Sequence, residues 1–242
     1  MISLSNITLS FGQRPEPVLA DVSIDVAQGE FVSIVGASGC GKSTLLNVIA
    51  DLESPQAGSV DVEGECALMF QDPALFPWLT ARDNVALALH DKGMRRADQH
   101  NEADRLLRLV GLAGEETKRP HELSGGMRQR VAIARALARG SQVLLMDEPF
   151  SALDAITRDV LHDELVTLWK ERGLTIVFVT HNVREAVTLG QRVVLMAARP
   201  GRIVREWTID ESYPRDPSAD AIRDFERDIT AALKDEVNGV RV

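Results

Sequence analysis

Residues Glu30 to Ala50 read EFVSIVGASGCGKSTLLNVIA, and this stretch decides the fold of the chain. Its first part, Phe31 to Val35, is an apolar run rich in β-branched residues, which indicates a buried strand. The segment from Gly36 to Ser43 fits the pattern G-x-x-x-x-G-K-[ST], and the apolar periodicity from Thr44 to Ala50 predicts a helix. A strand, a glycine-rich loop and a helix, in this order, form the context that the pattern requires.

The loop predicts a binding site for a nucleoside triphosphate. Glycines let the backbone turn its N–H groups inward around a phosphate, and the N-terminus of the following helix adds partial positive charge. Lys42 can reach the outer phosphates, and the Ser43 hydroxyl can ligate Mg²⁺. A glycine-rich turn without a ligand is the alternative, which the flanking strand and helix disfavour. The predicted contacts are Gly36, Ala37, Ser38, Gly39, Cys40, Gly41, Lys42, Ser43 and Thr44.

Composition limits the class of protein. The 242 residues suit one large or two small domains, and no apolar run approaches the ~20 residues that span a bilayer. The N-terminus, MISLSNITLSF, lacks the basic and apolar regions of a secretory signal, so we expect a cytosolic chain. A net charge of -9 disfavours a nucleic-acid-binding protein. The two cysteines, Cys40 and Cys66, have no metal-like spacing and predict no disulfide framework.

Strands alternate with helices along the chain, which predicts an α/β fold with a mainly parallel sheet flanked by helices. Residues 1–29 hold two alternating runs around the loop GQRPEP (12–17), which indicates an antiparallel start. Residues 58–72 predict two short strands with a turn at Gly64, and a hairpin is predicted around Pro200. Further strands are predicted at 142–146 and 175–180, and helices at 80–90, 101–110, 124–139, 157–172 and about 218–236. We expect a single domain over 1–242 with a helical insert at about 79–135.

Two acidic residues, Asp147 and Glu148, follow the apolar run Val143 to Met146. A P-loop enzyme needs a carboxylate for Mg²⁺ at the end of a neighbouring strand, and Asp147 is placed for that. Glu148 could position or deprotonate a water molecule aimed at the γ-phosphate. Two acids after a strand are otherwise a helix cap or a solvated turn, but the glycine loop upstream favours the catalytic interpretation.

The chain resembles the ATP-binding cassette (ABC) ATPases. The run LSGGMRQR, Leu123 to Arg130, is similar to that family's signature and lies just ahead of the acid-tipped strand. Gln71 in FQD, the SALD of Ser151 to Asp154 and the His181 after TIVFVT follow in the family's order. The resemblance runs from Leu4 to about Arg205 and implies the P-loop fold of ABC ATPases, with an N-terminal antiparallel β subdomain and a helical subdomain.

The resemblance also implies roles for residues outside the loop. Phe11 would stack on adenine, Gln71 would join the Mg²⁺ and water shell, and His181 would contact the γ-phosphate. Each has a simpler alternative: Phe11 as a hydrophobic plug, Gln71 as a polar loop residue and His181 as a packed side chain. Ser124, Gly125 and Gly126 would hold the γ-phosphate of a nucleotide on a second subunit, and Asp154 would line the seam between the subunits. Ser124 alone would be interpreted as a helix cap.

The same resemblance implies the cofactors ATP and Mg²⁺ and a head-to-tail homodimer, because the chain holds one P-loop and one signature. The run Gln71 to Val85, with its Pro77-Trp78 pair, resembles importers of nitrate, taurine and alkanesulfonates. It implies a peripheral protein on the cytoplasmic face of the inner membrane. Its partners would be membrane permease subunits, docked near Gln71 to Asp91, and a periplasmic or extracellular substrate-binding protein acting through them, with no nucleic acid.

Two other classes remain as alternatives. One is a soluble ABC ATPase acting on DNA or ribosomes, but those have long coiled coils or two cassettes in one chain, features that this sequence lacks. The other is a P-loop kinase or GTPase, which leaves LSGGM unexplained. The sequence departs from the family at Asp51, where Gly is usual, and at Asn182, where Asp follows the histidine.

Overall fold

The structure, a computed structural model, describes residues 1–12 and 16–239, so the predicted loop at 12–17 lies partly outside the described residues. The strands are β1 Ile2–Leu9, β2 Leu19–Val26, β3 Phe31–Gly36, β4 Ala57–Val62, β5 Cys66–Met69, β6 Val143–Asp147, β7 Thr175–Val179, β8 Arg192–Ala197 and β9 Arg202–Thr208. The helices are α1 Lys42–Ile49, α2 Ala81–Ala86, α3 Arg96–Leu109, α4 Gly125–Arg139, α5 Ala155–Arg172, α6 Val183–Leu189 and α7 Asp220–Gly239, with 3-10 turns at Leu87–Lys92 and Pro120–Glu122.

A six-stranded sheet in the order β5-β6-β7-β3-β8-β9 carries the site. Its first five strands are parallel, and β9 pairs with β8 antiparallel, as the predicted hairpin requires. Every residue of β3, β6 and β7 is buried, because helices cover both faces of a parallel sheet. This explains why those strands are continuous apolar runs, and it confirms the predicted α/β class.

Parallel strands bring their carboxyl ends to one edge of the sheet. Here β6, β7 and β3 are neighbours, and the backbone beyond them stays paired: Glu148 N donates to Val179 O at 2.9 Å, and Thr180 N donates to Ile34 O at 3.1 Å. The loops that follow these three strands therefore lie side by side. All three carry residues with a predicted chemical role.

A separate three-stranded antiparallel sheet, β2-β1-β4, forms the start of the chain, as predicted. The two short strands predicted at 58–72 exist but belong to different sheets. The strand β4 pairs with β1, whereas β5 pairs parallel with β6. Gly64 lies between them at φ 96°, and a Cβ there would stand 2.7 Å from Gln142 Oε1, so the change of sheet is made at a glycine.

The helices differ from prediction mainly at their ends. The helix predicted at 80–90 is α2 followed by a 3-10 turn, and the one predicted at 101–110 begins earlier, at Arg96. The short α6 was not predicted, because seven residues hold barely two turns of periodicity. The last helix, α7, buries Ile222 and Ile229 against β8 and β9. Among the described residues, no helix is both long and apolar enough to cross a membrane.

His162 on α5 is a buried ionisable side chain. Its ring meets the Phe150 ring edge-on, with centroids 4.8 Å apart, and its Nε2 has no hydrogen-bond partner among the described residues. Burial lowers the pKa of His162 from its ordinary 6.5 to about 4, so the imidazole is neutral in the folded chain at neutral pH. As pH falls below 6.5, His162 takes up a proton in the unfolded chain but stays neutral in the folded chain until the pH approaches 4.

We therefore predict that His162 makes the protein less stable as pH falls from about 7.5 to about 5, by about 2 kcal/mol in the free energy of unfolding. His162→Leu should remove this part of the pH dependence, because leucine binds no proton. The measurement is the urea-unfolding free energy of both proteins at the two pH values. As a control, His90→Leu, which changes an exposed histidine, should leave the slope unchanged; an equal slope in wild type and His162→Leu would contradict the prediction.

Candidate functional site

The glycine loop joins β3 to α1 at the edge of the central sheet. Gly39 and Gly41 have φ values of 79° and 97°, in the left-handed region that favours glycine. A Cβ on Gly36 would stand 2.5 Å from Met196 O, and one on Gly41 would stand 2.7 Å from a Leu19 methyl group. The motif's glycines are therefore required by backbone conformation and by close packing.

Lys42 is held over this loop. Its Nζ donates to the carbonyl oxygens of Gly36 at 2.8 Å and Ala37 at 3.1 Å, and it lies 3.7 Å from Cys40 Sγ. Burial raises the pKa of the Cys40 thiol, a shift that the Lys42 charge opposes, so Cys40 is a neutral space-filling residue. The arrangement places one ammonium group and the first N–H groups of α1 at the same point, as phosphate binding requires.

Asp147, the last residue of β6, lies next to Ser43 at the start of α1. Burial raises the pKa of Asp147, and the hydrogen bond from the Ser43 hydroxyl and the charge of Lys42 oppose this shift. A carboxylate and a hydroxyl beside a phosphate loop are the protein ligands that Mg²⁺ uses together with nucleotide phosphates. The donor set therefore fits Mg²⁺.

Three predicted site residues from separate loops, Glu148, Gln71 and His181, meet at the Glu148 side chain. Its Oε2 lies 3.3 Å from Gln71 Nε2 and 3.1 Å from His181 Nδ1. The Glu148 side chain keeps 18% of its surface exposed, which leaves it accessible to water. A carboxylate that accepts from the Gln71 amide and lies beside the His181 imidazole is well placed to take a proton from a bound water molecule.

The backbone of Glu148 is fixed in an uncommon conformation. Its φ is 48°, which for a non-glycine residue costs of the order of 1–3 kcal/mol. Its carbonyl accepts from Ser151 Oγ at 3.0 Å and from Gln129 Nε2 at 3.5 Å. Sequence reasoning missed these two supporting residues, although a buried glutamine on the apolar side of α4 was a usable signal.

The signature residues Ser124, Gly125 and Gly126 make none of the hydrogen bonds to the Glu148 side chain that the described residues form. Ser124 is exposed and caps α4, accepting from Met127 N at 3.2 Å, and Gly125 and Gly126 form the first turn. The helix packs on α2, α3 and β5, whereas α1 packs on β3, β4, β6 and β7. Asp154 is likewise exposed and caps α5, and the hydrogen bonds from Thr157 lower its pKa. Within one chain, Ser124 and Asp154 are helix caps.

The structure shows the surroundings of Phe11 and of the two residues that depart from the family pattern, Asp51 and Asn182. Phe11 is 41% exposed, so it is not a buried plug. Asp51 follows α1 at φ 57°, a left-handed position that aspartate tolerates better than most residues, which accounts for its substitution for glycine. Asn182 caps α6, accepting from Arg184 N at 3.0 Å, as an aspartate would. Neither departure touches the phosphate loop.

The sheet order, the glycine loop with its lysine, and the acids on the adjacent strand together define a P-loop nucleoside triphosphatase. A family model described as ABC transporter matches residues 19–151, and one described as a P-loop domain matches residues 114–205. The chain therefore belongs to the ABC transporter ATP-binding family. It binds ATP and is an ATPase.

Curated proteins and solved structures agree with this assignment. The chain is 47% identical to the taurine import ATP-binding protein TauB of Mesorhizobium japonicum, covering 88% of this chain and 85% of TauB. It is 43% identical to the aliphatic sulfonates import ATP-binding protein SsuB of Bacillus subtilis, covering 87% and 86%. A dimeric structure of the ATP-binding cassette MJ0796, in a post-hydrolysis state bound to ADP and Pi, has a TM-score of 0.82 and 34% identity over 88% of this chain and all of that one.

Replacing Lys42 by methionine keeps the apolar stem and removes the ammonium group from the loop. We predict that Lys42→Met weakens ATP binding, because the Lys42 ammonium group is the positive charge that lies within hydrogen-bonding distance of the loop carbonyl oxygens of Gly36 and Ala37. Titration with a fluorescent ATP analogue measures the affinity, and Lys234→Met, on the exposed side of α7, is the control. Unchanged affinity in Lys42→Met would show that the nucleotide binds elsewhere.

Replacing Glu148 by glutamine keeps the shape of the side chain and removes its basicity. Glu148→Gln should lower kcat for ATP hydrolysis by roughly 10² or more while ATP still binds, the scale expected when a catalytic base is lost. Steady-state phosphate release and nucleotide titration on the same preparation give the two quantities. Glu171→Gln, an exposed change on α5, is the control, and normal turnover in Glu148→Gln would exclude Glu148 as the base.

Proposed function

We propose that two copies of this chain bind two ATP molecules between them and drive a membrane importer for a small substrate, an anion such as nitrate, a sulfonate or taurine. One observation carries the proposal. Gln71 and His181 meet at the Glu148 side chain, whereas the described residues show no such contact for Ser124, Gly125 or Gly126, and Ser124 is exposed at the start of α4. A second copy placed head to tail would supply the missing half of each site.

The dimeric arrangement has independent support. The MJ0796 cassette, which shares this fold, is described as a dimer in two solved structures. Asp154 is exposed at the start of α5, three residues after Ser151, whose hydroxyl donates to the Glu148 carbonyl, and is available to line a seam. Phe11 is also exposed, as a residue that stacks on adenine must be.

Each site residue has a distinct task in hydrolysis. Lys42 neutralises charge on the outer phosphates, while Ser43, Asp147 and Gln71 would hold Mg²⁺. Mg²⁺ held by these residues would offset the negative charge that develops on the phosphate oxygens. Glu148 accepts the proton of the attacking water, and His181, whose Nδ1 lies 3.1 Å from Glu148 Oε2, would contact the γ-phosphate.

A groove beside Gln71 offers a docking place for the permease. A cavity of about 220 Å³ lies between three elements: β5, α4 and the 3-10 turn Leu87–Lys92. Its lining residues include Met69, Phe76, Leu87 and Arg135. Phe76 and Leu87 are partly exposed, and Trp78, near Phe76, is 67% exposed. Exposed aromatic and aliphatic side chains beside a groove are typical of a protein interface. We assign this groove to a short helix of the permease.

The groove is joined to the catalytic cluster through the loop that follows Gln71. Arg135 on α4 donates to the carbonyl oxygens of Pro73 at 2.7 Å and Ala74 at 2.9 Å, so movement of α4 moves this loop. Gln71, at the start of the loop, contacts Glu148. A permease seated in the groove therefore has a direct mechanical route to the catalytic base.

The substrate class rests on the relatives and on the sequence of this loop. TauB and SsuB are named as taurine and aliphatic sulfonates import proteins. The Pro77-Trp78 pair after Gln71 resembles the sequence of that importer branch at the same place. The chain would sit peripherally on the cytoplasmic face of the membrane, while a substrate-binding protein and the permease select the substrate.

We predict that the double change Phe76→Ala and Trp78→Ala leaves basal ATP hydrolysis unchanged but abolishes uptake, because the docking surface lies outside the catalytic cluster. The measurement compares hydrolysis with uptake of labelled taurine, alkanesulfonate and nitrate in vesicles holding the co-purified permease and binding protein. Leu52→Ala removes an exposed apolar side chain away from the groove and serves as the control. Uptake that survives the double change would exclude this groove as the docking site.

A further inference from the structure

Glu185, in the first turn of α6, is a buried carboxylate with only 6% of the residue exposed. The Thr180 hydroxyl donates to its Oε2 at 2.7 Å. Arg158 Nε, on α5, lies 3.3 Å from its Oε1, forming an ion pair without the alignment of a hydrogen bond. Burial raises the pKa of Glu185, and both the Thr180 hydrogen bond and the Arg158 charge oppose the shift.

A buried ion pair of this kind adds little to stability, because removing two charges from water offsets most of their attraction. His162 Nε2, 4.0 Å from Glu185 Oε1, adds no charge at neutral pH, because burial has lowered its pKa to about 4. Apolar packing would serve stability as well here. The contacts of Glu185 instead indicate a role in positioning the two segments that it joins.

The first segment carries His181. Thr180 Oγ1, which donates to Glu185, also accepts from Asn182 N at 3.0 Å, so the residues on both sides of His181 are fixed by one hydroxyl. The His181 side chain itself is 61% exposed, and its ring contact is with Glu148 Oε2. The ring is therefore positioned mainly by the backbone that Glu185 and Thr180 hold.

The second segment is Leu153 to Arg158, at the start of α5. Arg158 Nη2 donates to Leu153 O at 2.8 Å, and Arg158 N donates to Asp154 O at 3.0 Å. Glu185 thus contacts the His181 segment with one carboxylate oxygen and the Asp154 segment with the other. Asp154 is the exposed residue that would face a second subunit.

We propose that Glu185 is a positioning residue that sets His181 against Glu148 and makes its position depend on the Leu153–Arg158 segment. The inference rests on the proposed function, in which His181 acts on the γ-phosphate and Asp154 lines the subunit seam. A second subunit seated on Asp154 would then influence His181 through one buried carboxylate.

Glu185→Gln tests this role with little change of shape. The amide can still accept from Thr180, but its pairing with Arg158 loses the negative charge, so the His181 segment is no longer tied to the Asp154 segment. We expect kcat for ATP hydrolysis to fall about tenfold, within the range that misplacement of a catalytic group produces. The KM for ATP should change by less than about twofold, because the glycine loop is untouched.

A double-mutant cycle separates positioning from a general loss of stability. In the His181→Ala background, Glu185→Gln should lower kcat by less than about twofold, because the residue that it positions is gone. Glu30→Gln breaks another partly buried ion pair, with Arg192, at the opposite end of β3, and should leave kcat unchanged. A tenfold fall in both backgrounds, or no fall in either, would overturn the proposal.

A spectroscopic measurement covers the case in which His181→Ala is too slow to assay. In protein with isotope-labelled histidine, the His181 ring resonances, assigned by their loss in His181→Ala, should shift in Glu185→Gln and stay in place in Glu30→Gln. Unshifted resonances would overturn the proposal. Wild-type turnover in His181→Ala itself would instead remove the proposed role of His181, so the two failures are distinguishable.

Discussion

The parallel hydrogen bonding of β6, β7 and β3 is the constraint on which the rest of the structure depends. It aligns the carboxyl ends of three fully buried strands and continues past them through the bonds from Glu148 N and Thr180 N. The residues proposed for phosphate binding, metal binding and proton transfer therefore lie on adjacent loops. A shift in the register of any one of these strands would separate groups that must act within hydrogen-bonding distance of one another.

Helix α4 supports this arrangement and links it to two other surfaces of the chain. The α4 helix supplies Gln129 beneath Glu148, Arg135 beneath the loop after Gln71, and Ser124 at its exposed start. One rigid element therefore touches the proposed catalytic base, the proposed docking groove and the surface that a second subunit would use. Because a helix moves as a unit, these three places cannot change independently.

Features of the fold and site that depend on consecutive residues could be predicted from the sequence, whereas features that depend on contacts between distant residues could not. The glycine loop is a run of consecutive residues, so its strand, turn and helix were predicted locally. The meeting of Gln71, Glu148 and His181 requires the strand order β5-β6-β7, which local patterns do not contain; the family resemblance alone implied it. The separation of β4 from β5 and the burial of Glu185 were missed, because both are set by tertiary packing.

The division of the site between α4 and the sheet edge has a consequence for where ATP is consumed. In the proposed dimer, free chains must meet before either can turn over, so hydrolysis by dilute protein rises more steeply than its concentration. A permease that holds two chains side by side replaces this encounter by a high effective concentration, in the millimolar range for closely tethered partners. In the proposed assembly, hydrolysis would therefore be much faster at the membrane than in dilute free chains, without a separate inhibitor of the free chain.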